Sequence, residues 1–180
     1  MSTRSSAEGD VQQSGPIQHS ATIQHERVAT GLGYDELVRA FERELGHLDP
    51  SVPKHLVEWK TQWSEVEREI GKAAGPHGLM IIARADQGSL ISLAGREKRC
   101  SLYLVGNPLI ASRIIDIDMR ASFYVPFRVA LFDNRGPEGA IIAFDRPSSF
   151  LAMLGQPEIE EIGRSLDRKI DAVIAAMRMR

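Results

Sequence analysis

The segment from Cys100 to Pro108 limits the possible folds more than any other part of this chain. It reads Cys-Ser-Leu-Tyr-Leu-Val-Gly-Asn-Pro, and such alternation is typical of a strand with two different faces. Glycine permits a sharp turn, asparagine is a preferred helix N-cap, and proline is favoured at the first helical position. The segment therefore predicts a strand that runs directly into a capped helix, with another strand at Tyr124–Val129 soon after.

Apolar residues at three- and four-residue spacing predict three amphipathic helices. The first lies between Tyr34 and Leu45, and the third begins at Pro157. The second is predicted as one continuous helix that carries an apolar face made of Leu56, Trp59, Trp63, Val66 and Ile70. All three are expected to turn their apolar faces toward a core or, for the tryptophans, toward a dimer contact.

Strands are predicted between these helices. They cover residues 78–85, 99–105, 124–133 and 140–145. A weaker pattern within residues 17–30 suits an edge strand, and residues 89–95 fit either a short strand or a helical turn. Because strands and helices are segregated along the chain, we expect an α+β fold in two layers, with a single antiparallel sheet of about five strands and helices packed on one face.

Composition sets the expected domain and its surroundings. Residues 1–16 are rich in Ser, Gln and Gly and predict a disordered tail, which leaves residues 17–180 as a single domain. A formal net charge of −2 argues against nucleic-acid binding. Apolar runs such as residues 79–83 are too short to cross a membrane. The single cysteine, Cys100, suits a reducing compartment, so we expect a cytoplasmic protein.

The order of these segments resembles the uncharacterised family called domain of unknown function 302. The resemblance covers about Gln24 to Met177 and is carried by residues 103–108, Ala111, Asp118, residues 124–129, residues 145–148 and the helix that starts at Pro157. It implies a two-layer α+β domain of β-α-β4-α type, similar to the TATA-binding-protein-like fold and often a homodimer. The chain departs from the family in its extra Trp59/Trp63 helix. It also has Cys100 ahead of Tyr103, whereas other members often place a cysteine at the glycine-asparagine turn.

Six side chains are candidates for binding a small anionic ligand: Tyr103, Asn107, Arg113, Arg128, His77 and Cys100. Asn107 begins a helix whose unpaired N-terminal amides attract anions, and Arg113 follows in that helix as a counter-charge. Arg128 lies in a strand, where its guanidinium must find a carboxylate, a ligand or solvent. Each candidate also has a purely structural interpretation, as a helix cap, a strand side chain, a paired arginine or a loop histidine.

Catalytic and cofactor motifs give little support to an enzyme. A strand cysteine among leucines is usually a small buried apolar residue, and Arg99 should point to the face opposite Cys100. None of the five histidines has the paired spacing of a zinc site. The chain contains no Walker loop, no G-x-G-x-x-G and no G-x-S-x-G motif, so no cofactor is assigned.

Three hypotheses for function remain open. The first is a small-ligand-binding domain of unknown biological role, with a pocket near the Val105–Asn107 turn and the Arg128 strand. The second is an enzyme that acts on a small anionic substrate through Cys100 or through Tyr103 and Arg128. The third is a protein-interaction module that docks a partner through its sheet or its tryptophan helix.

Overall fold

Six strands form one sheet in the computed structural model, which describes residues 20–178. The predicted tail, residues 1–16, lies outside the described residues. The strands are β1 (His25–Ala29), β2 (Gly46–His47), β3 (Met80–Asp86), β4 (Cys100–Gly106), β5 (Phe127–Asp133) and β6 (Ala140–Asp145). Their order across the sheet is β1-β6-β5-β4-β3-β2. Within the weak pattern of residues 17–30, the segment His25–Ala29 is therefore an edge strand, as expected.

The sheet is antiparallel apart from one short pairing. Strand β2 runs parallel to β3 through two residue pairs, Gly46 with Met80 and His47 with Ile81. The α+β class and the single sheet are confirmed, and this two-residue strand adds one to the expected five. It was not predicted because two residues carry no detectable periodicity. A close backbone approach accompanies it, since a Cβ on Gly46 would lie 1.7 Å from the carbonyl oxygen of Ala73.

Within residues 20–178, seven α-helices connect or cover the strands. They are α1 (Tyr34–Glu44), α2 (Ser51–Glu58), α3 (Trp63–Lys72), α4 (Gln87–Ser92), α5 (Pro108–Ile117), α6 (Pro147–Leu151) and α7 (Pro157–Arg178). Two 3-10 turns follow α5 and α6, at Met119–Phe123 and Ala152–Leu154. The predicted first and third helices and the helix after Pro108 are confirmed as α1, α7 and α5. The ambiguous segment, residues 89–95, is helical through Ser92.

The prediction of one continuous second helix is wrong. The helix is interrupted between α2 and α3, where Lys60 adopts a left-handed φ of 49°. Because of this break the apolar residues no longer share one face. Trp59 and Trp63 are 72% and 53% exposed instead of facing a core, whereas Ile70 is buried.

The main core lies between one face of the sheet and the helices α1, α6 and α7. We call this the first face; it carries Tyr103, Val105, Val129 and Leu131, which are fully buried. The ring of Phe41 in α1 meets the Tyr103 ring edge-on at 5.2 Å between centroids. The predicted helical layer on one face is therefore present.

A smaller apolar cluster lies at one end of the second face. Consecutive strand residues point to opposite faces, and Ile81 belongs to the main core while Met80 does not. Met80 packs instead with Leu48 and with Ile70 of α3. The short helices α2 and α3 thus cover only the β2–β3 end of the second face.

The Gly46 contact generates a stability prediction. Gly46→Ala should lower the free energy of unfolding by about 2 kcal/mol or more, because the new methyl group overlaps the backbone of Ala73. Gly71→Ala is the matched control, since a Cβ there meets nothing within 4 Å and alanine favours a helix by about 1 kcal/mol. Urea unfolding of both variants measures the difference; equal midpoints would contradict the close approach.

Candidate functional site

Strands β4 and β5 separate the predicted site residues between the two faces of the sheet. Tyr103 is paired with Val129 and Leu104 with Arg128, so Arg128 lies on the second face and Tyr103 on the first. Cys100, Leu102 and Leu104 are half-buried on the second face. The hypothesis that Tyr103 and Arg128 act together on one substrate is therefore wrong.

Arg128 lines a groove at the end of the sheet where β5 begins and β6 ends, which we call the Arg128 groove. Its volume is about 520 Å³, and its walls are formed by Ile23, Leu104, Phe123, Tyr124, Pro126, Phe127, Asp145, Phe150 and Met153. Tyr124 stacks on Phe150 at 6.0 Å, and Phe123 meets Tyr124 edge-on at 5.2 Å. Phe123 is 87% exposed. Three aromatic rings thus line the approach to a guanidinium group.

The charge of Arg128 is not neutralised by a neighbour within residues 20–178, where its side chain forms neither an ion pair nor a hydrogen bond. Asp145 also lines the groove, but its Oδ1 atom lies 2.8 Å from His25 Nδ1. Arginine is the best side chain for binding a carboxylate with two parallel hydrogen bonds. The groove therefore combines one available cation with a largely apolar and aromatic wall.

Tyr103 belongs to a separate polar network on the first face. Its hydroxyl donates to Glu42 Oε1 at 2.8 Å, and Arg84 Nη1 donates to the same oxygen at 3.0 Å. Arg84 lies on this face because an irregularity in β3 between Ile81 and Ala83 shifts the register, so that Arg84 pairs with Tyr103. Burial and the hydrogen bond to Glu42 raise the pKa of Tyr103 well above its usual range. Tyr103 is thus a neutral donor that ties α1 to the sheet.

Asn107 forms the N-cap of α5 as the structural interpretation predicted. Its Oδ1 atom accepts from the Leu109 amide at 2.9 Å, and its Nδ2 atom donates to the Gly78 carbonyl at 3.0 Å. The amides of Ile110 and Ala111 both donate to the Asn107 carbonyl, and Pro108 has no N–H. The expectation of unpaired amides for an anion is therefore wrong, because the first turn uses all of them internally.

The remaining candidates lie elsewhere. His77 Nε2 is 3.1 Å from Glu44 Oε2, and this pair is largely buried. Arg113 lines a different cleft, between α5 and α7. Cys100 is half-buried on the second face, while Arg99 reaches to Asp35 on α1. Of the six predicted residues, only Arg128 lines the groove.

Several residues of the groove were missed by the sequence analysis. Phe123 ends a 3-10 turn, and Phe150 and Met153 follow β6 in α6 and the next turn. These segments are too short for a periodic pattern. The adjacent aromatics Phe123 and Tyr124, close to Pro126, were the one local signal.

Residues 20–178 contain neither a candidate metal site nor a membrane-spanning helix. They contain no group of three or more His, Cys, Asp or Glu side chains that could hold a metal ion. No helix in this range is long and apolar enough to cross a bilayer.

Comparison with known proteins identifies the family. The sequence profile of the family described as Domain of unknown function DUF302 matches residues 55–177. The chain belongs to this family. A crystal structure of an uncharacterized conserved DUF302 protein from Bacillus stearothermophilus is similar with a TM-score of 0.59 at 14% identity, covering 86% of this chain and 98% of that one. At this identity the similarity shows the shared DUF302 fold alone, and no curated protein matches the chain.

The Tyr103 network predicts a pH effect on stability. The pKa of Tyr103 is raised in the folded state, so above pH of about 10 the unfolded chain loses a proton that the folded chain keeps. Folding stability should therefore be fully present below that pH and fall above it. Tyr103→Phe should cost about 1 kcal/mol at pH 7 and flatten this fall, whereas Tyr124→Phe should retain it. Urea unfolding between pH 8 and 11 tests this; identical slopes in both variants would contradict the assignment.

Proposed function

We propose that this DUF302 domain binds a small organic anion with an apolar or aromatic body in the Arg128 groove. The observation that supports this most is that Arg128, which has no ion-pair partner among residues 20–178, shares a groove with aromatic side chains. The volume of about 520 Å³ lies within the range of about 300–1,000 Å³ found for small-molecule sites. A carboxylate would meet Arg128, and the body of the ligand would pack against Tyr124 and Phe150.

Asp145 limits the charge of the proposed ligand. Its carboxylate lines the same groove, and a second anionic group on the ligand would be repelled by it. A hydroxyl or amino group near Asp145 would instead donate a hydrogen bond. The preferred ligand is therefore a monoanion.

The proposal is tested with the aromatic sulfonate 8-anilinonaphthalene-1-sulfonate, which combines one negative charge with fused rings. Arg128→Ala should weaken its binding about tenfold, equivalent to about 1.4 kcal/mol, because the guanidinium is lost and the aromatic walls remain. Arg128→Lys should retain part of the affinity, since a lysine keeps the charge without the planar donors. Fluorescence titration measures each dissociation constant.

Arg113→Ala is the matched control, because Arg113 is also exposed and lies in another cleft. Its affinity for the dye should equal that of the unmodified chain. Phenylacetate, a non-fluorescent aromatic carboxylate, should displace the dye from the unmodified chain. Equal dye affinities in Arg128→Ala and the unmodified chain would refute the site.

The enzyme alternative finds less support in this arrangement. The placement of Tyr103 and Arg128 on opposite faces of the sheet argues against their acting together on one substrate. Cys100 would need an adjacent positive charge to become a thiolate nucleophile, and Arg99 is engaged with Asp35 and lies 4.8 Å from the Tyr34 ring centroid. We therefore favour binding over catalysis.

We also propose that two copies of the chain associate through the second face. Leu102 and Phe132 are half-buried there and do not line the Arg128 groove, and apolar surface of this kind is typical of interfaces. Leu102→Glu should place a charge in the contact and yield monomers of 19.9 kDa. Trp59→Ser is the control that separates this face from the exposed tryptophans. Sedimentation equilibrium measures the mass; a concentration-independent monomer of the unmodified chain would contradict association.

A further inference from the structure

A second cavity lies beside the turn that joins β4 to α5, and we call it the turn cavity. Its volume is about 190 Å³, and its lining includes Ile82, Gly106, Ile110, Ala111, Phe127 and Leu166. It shares Pro126 and Phe127 with the Arg128 groove but not Arg128. Its occupant is therefore selected by different chemistry.

The lining of the turn cavity is almost entirely apolar. Asn107 is the only lining residue with a polar side chain, and both ends of its amide are engaged by Leu109 and Gly78. Pro108 offers no N–H, and the amides of Ile110 and Ala111 bond to the Asn107 carbonyl. A buried water needs two to four polar partners. The turn cavity is consequently a poor site for water and a favourable one for an apolar molecule.

Small side chains create this space. A Cβ on Gly106 would lie 3.3 Å from the Cβ of Pro126, and Ala111 contributes only a methyl group from α5. Apolar cavities of about 150 Å³ hold a benzene molecule or a xenon atom, so about 190 Å³ is sufficient for one small ring. A longer side chain at Ala111 would fill the cavity.

We propose that the turn cavity is a binding site for one small apolar ring or hydrocarbon group, independent of the anion site proposed at Arg128. The recognition is by shape and by burial of apolar surface, which favours an uncharged molecule without hydrogen-bonding groups. Val125 and Pro126, in the segment before β5, form one wall of this site.

Benzene is the probe for this proposal. Added to the full chain, it should shift the methyl NMR signals of Ile82 and Ile110 until they saturate at one molecule per chain. It should also raise the melting temperature, because a ligand that binds only the folded state stabilises that state. No saturable shift up to the solubility limit of benzene would overturn the proposal and identify the space as an empty packing defect.

Variants at two positions locate the response. Ala111→Leu should fill the cavity and abolish the saturable shifts, whereas Ala175→Leu, the same change at an exposed position of α7, should leave them intact. Ala111→Val is the milder filling variant, to be used if Ala111→Leu does not fold, and should weaken benzene binding. A response in the filled variant equal to that of the unmodified chain would refute the location.

The Arg128→Ala variant separates this proposal from the anion site. It should bind benzene with unchanged affinity while it loses affinity for the aromatic sulfonate. A loss of benzene binding in Arg128→Ala would show that benzene occupies the Arg128 groove and would overturn the turn cavity as its site.

Discussion

The burial of Tyr103 between the sheet and α1 is the constraint on which the rest of the structure depends. Its ring packs edge-on against Phe41, and its hydroxyl donates to Glu42, so an apolar contact and a hydrogen bond hold the same helix in one position. Because neighbouring strand residues alternate between faces, this burial forces Leu104 and its partner Arg128 to the second face. Core packing therefore decides where a ligand could meet the arginine.

The two proposed sites differ because the Gly106–Pro108 turn and the Arg128 strand use their polar groups differently. At the turn, Asn107 satisfies the first amides of α5 and the carbonyl of Gly78, which leaves an apolar cavity. On the second face Arg128 has no ion-pair partner within residues 20–178 and lines a groove with aromatic rings. The proposed sites for uncharged and for anionic molecules therefore lie side by side, sharing Pro126 and Phe127.

The DUF302 match begins at residue 55, yet the folded unit extends further toward the N-terminus. Strand β1 pairs with β6 through His25–Ala29, and α1 supplies Leu37 and Phe41 to the main core. Both elements are needed to complete the sheet and to cover its first face. The similar Bacillus stearothermophilus protein aligns over 86% of this chain, more than the matched segment alone.

Local patterns in the sequence determined α1, α5, α7, the four long strands, the faces of β4 and β5 and the Asn107 cap, because each depends on residues a few positions apart. Only the tertiary structure decided the break at Lys60, the register shift that brings Arg84 to Tyr103, and the meeting of Arg128 with Phe123 and Phe150. These features depend on strand register and on contacts between segments distant in sequence. Whether an arginine is neutralised is likewise a property of its neighbours in space, which periodicity along the chain does not encode.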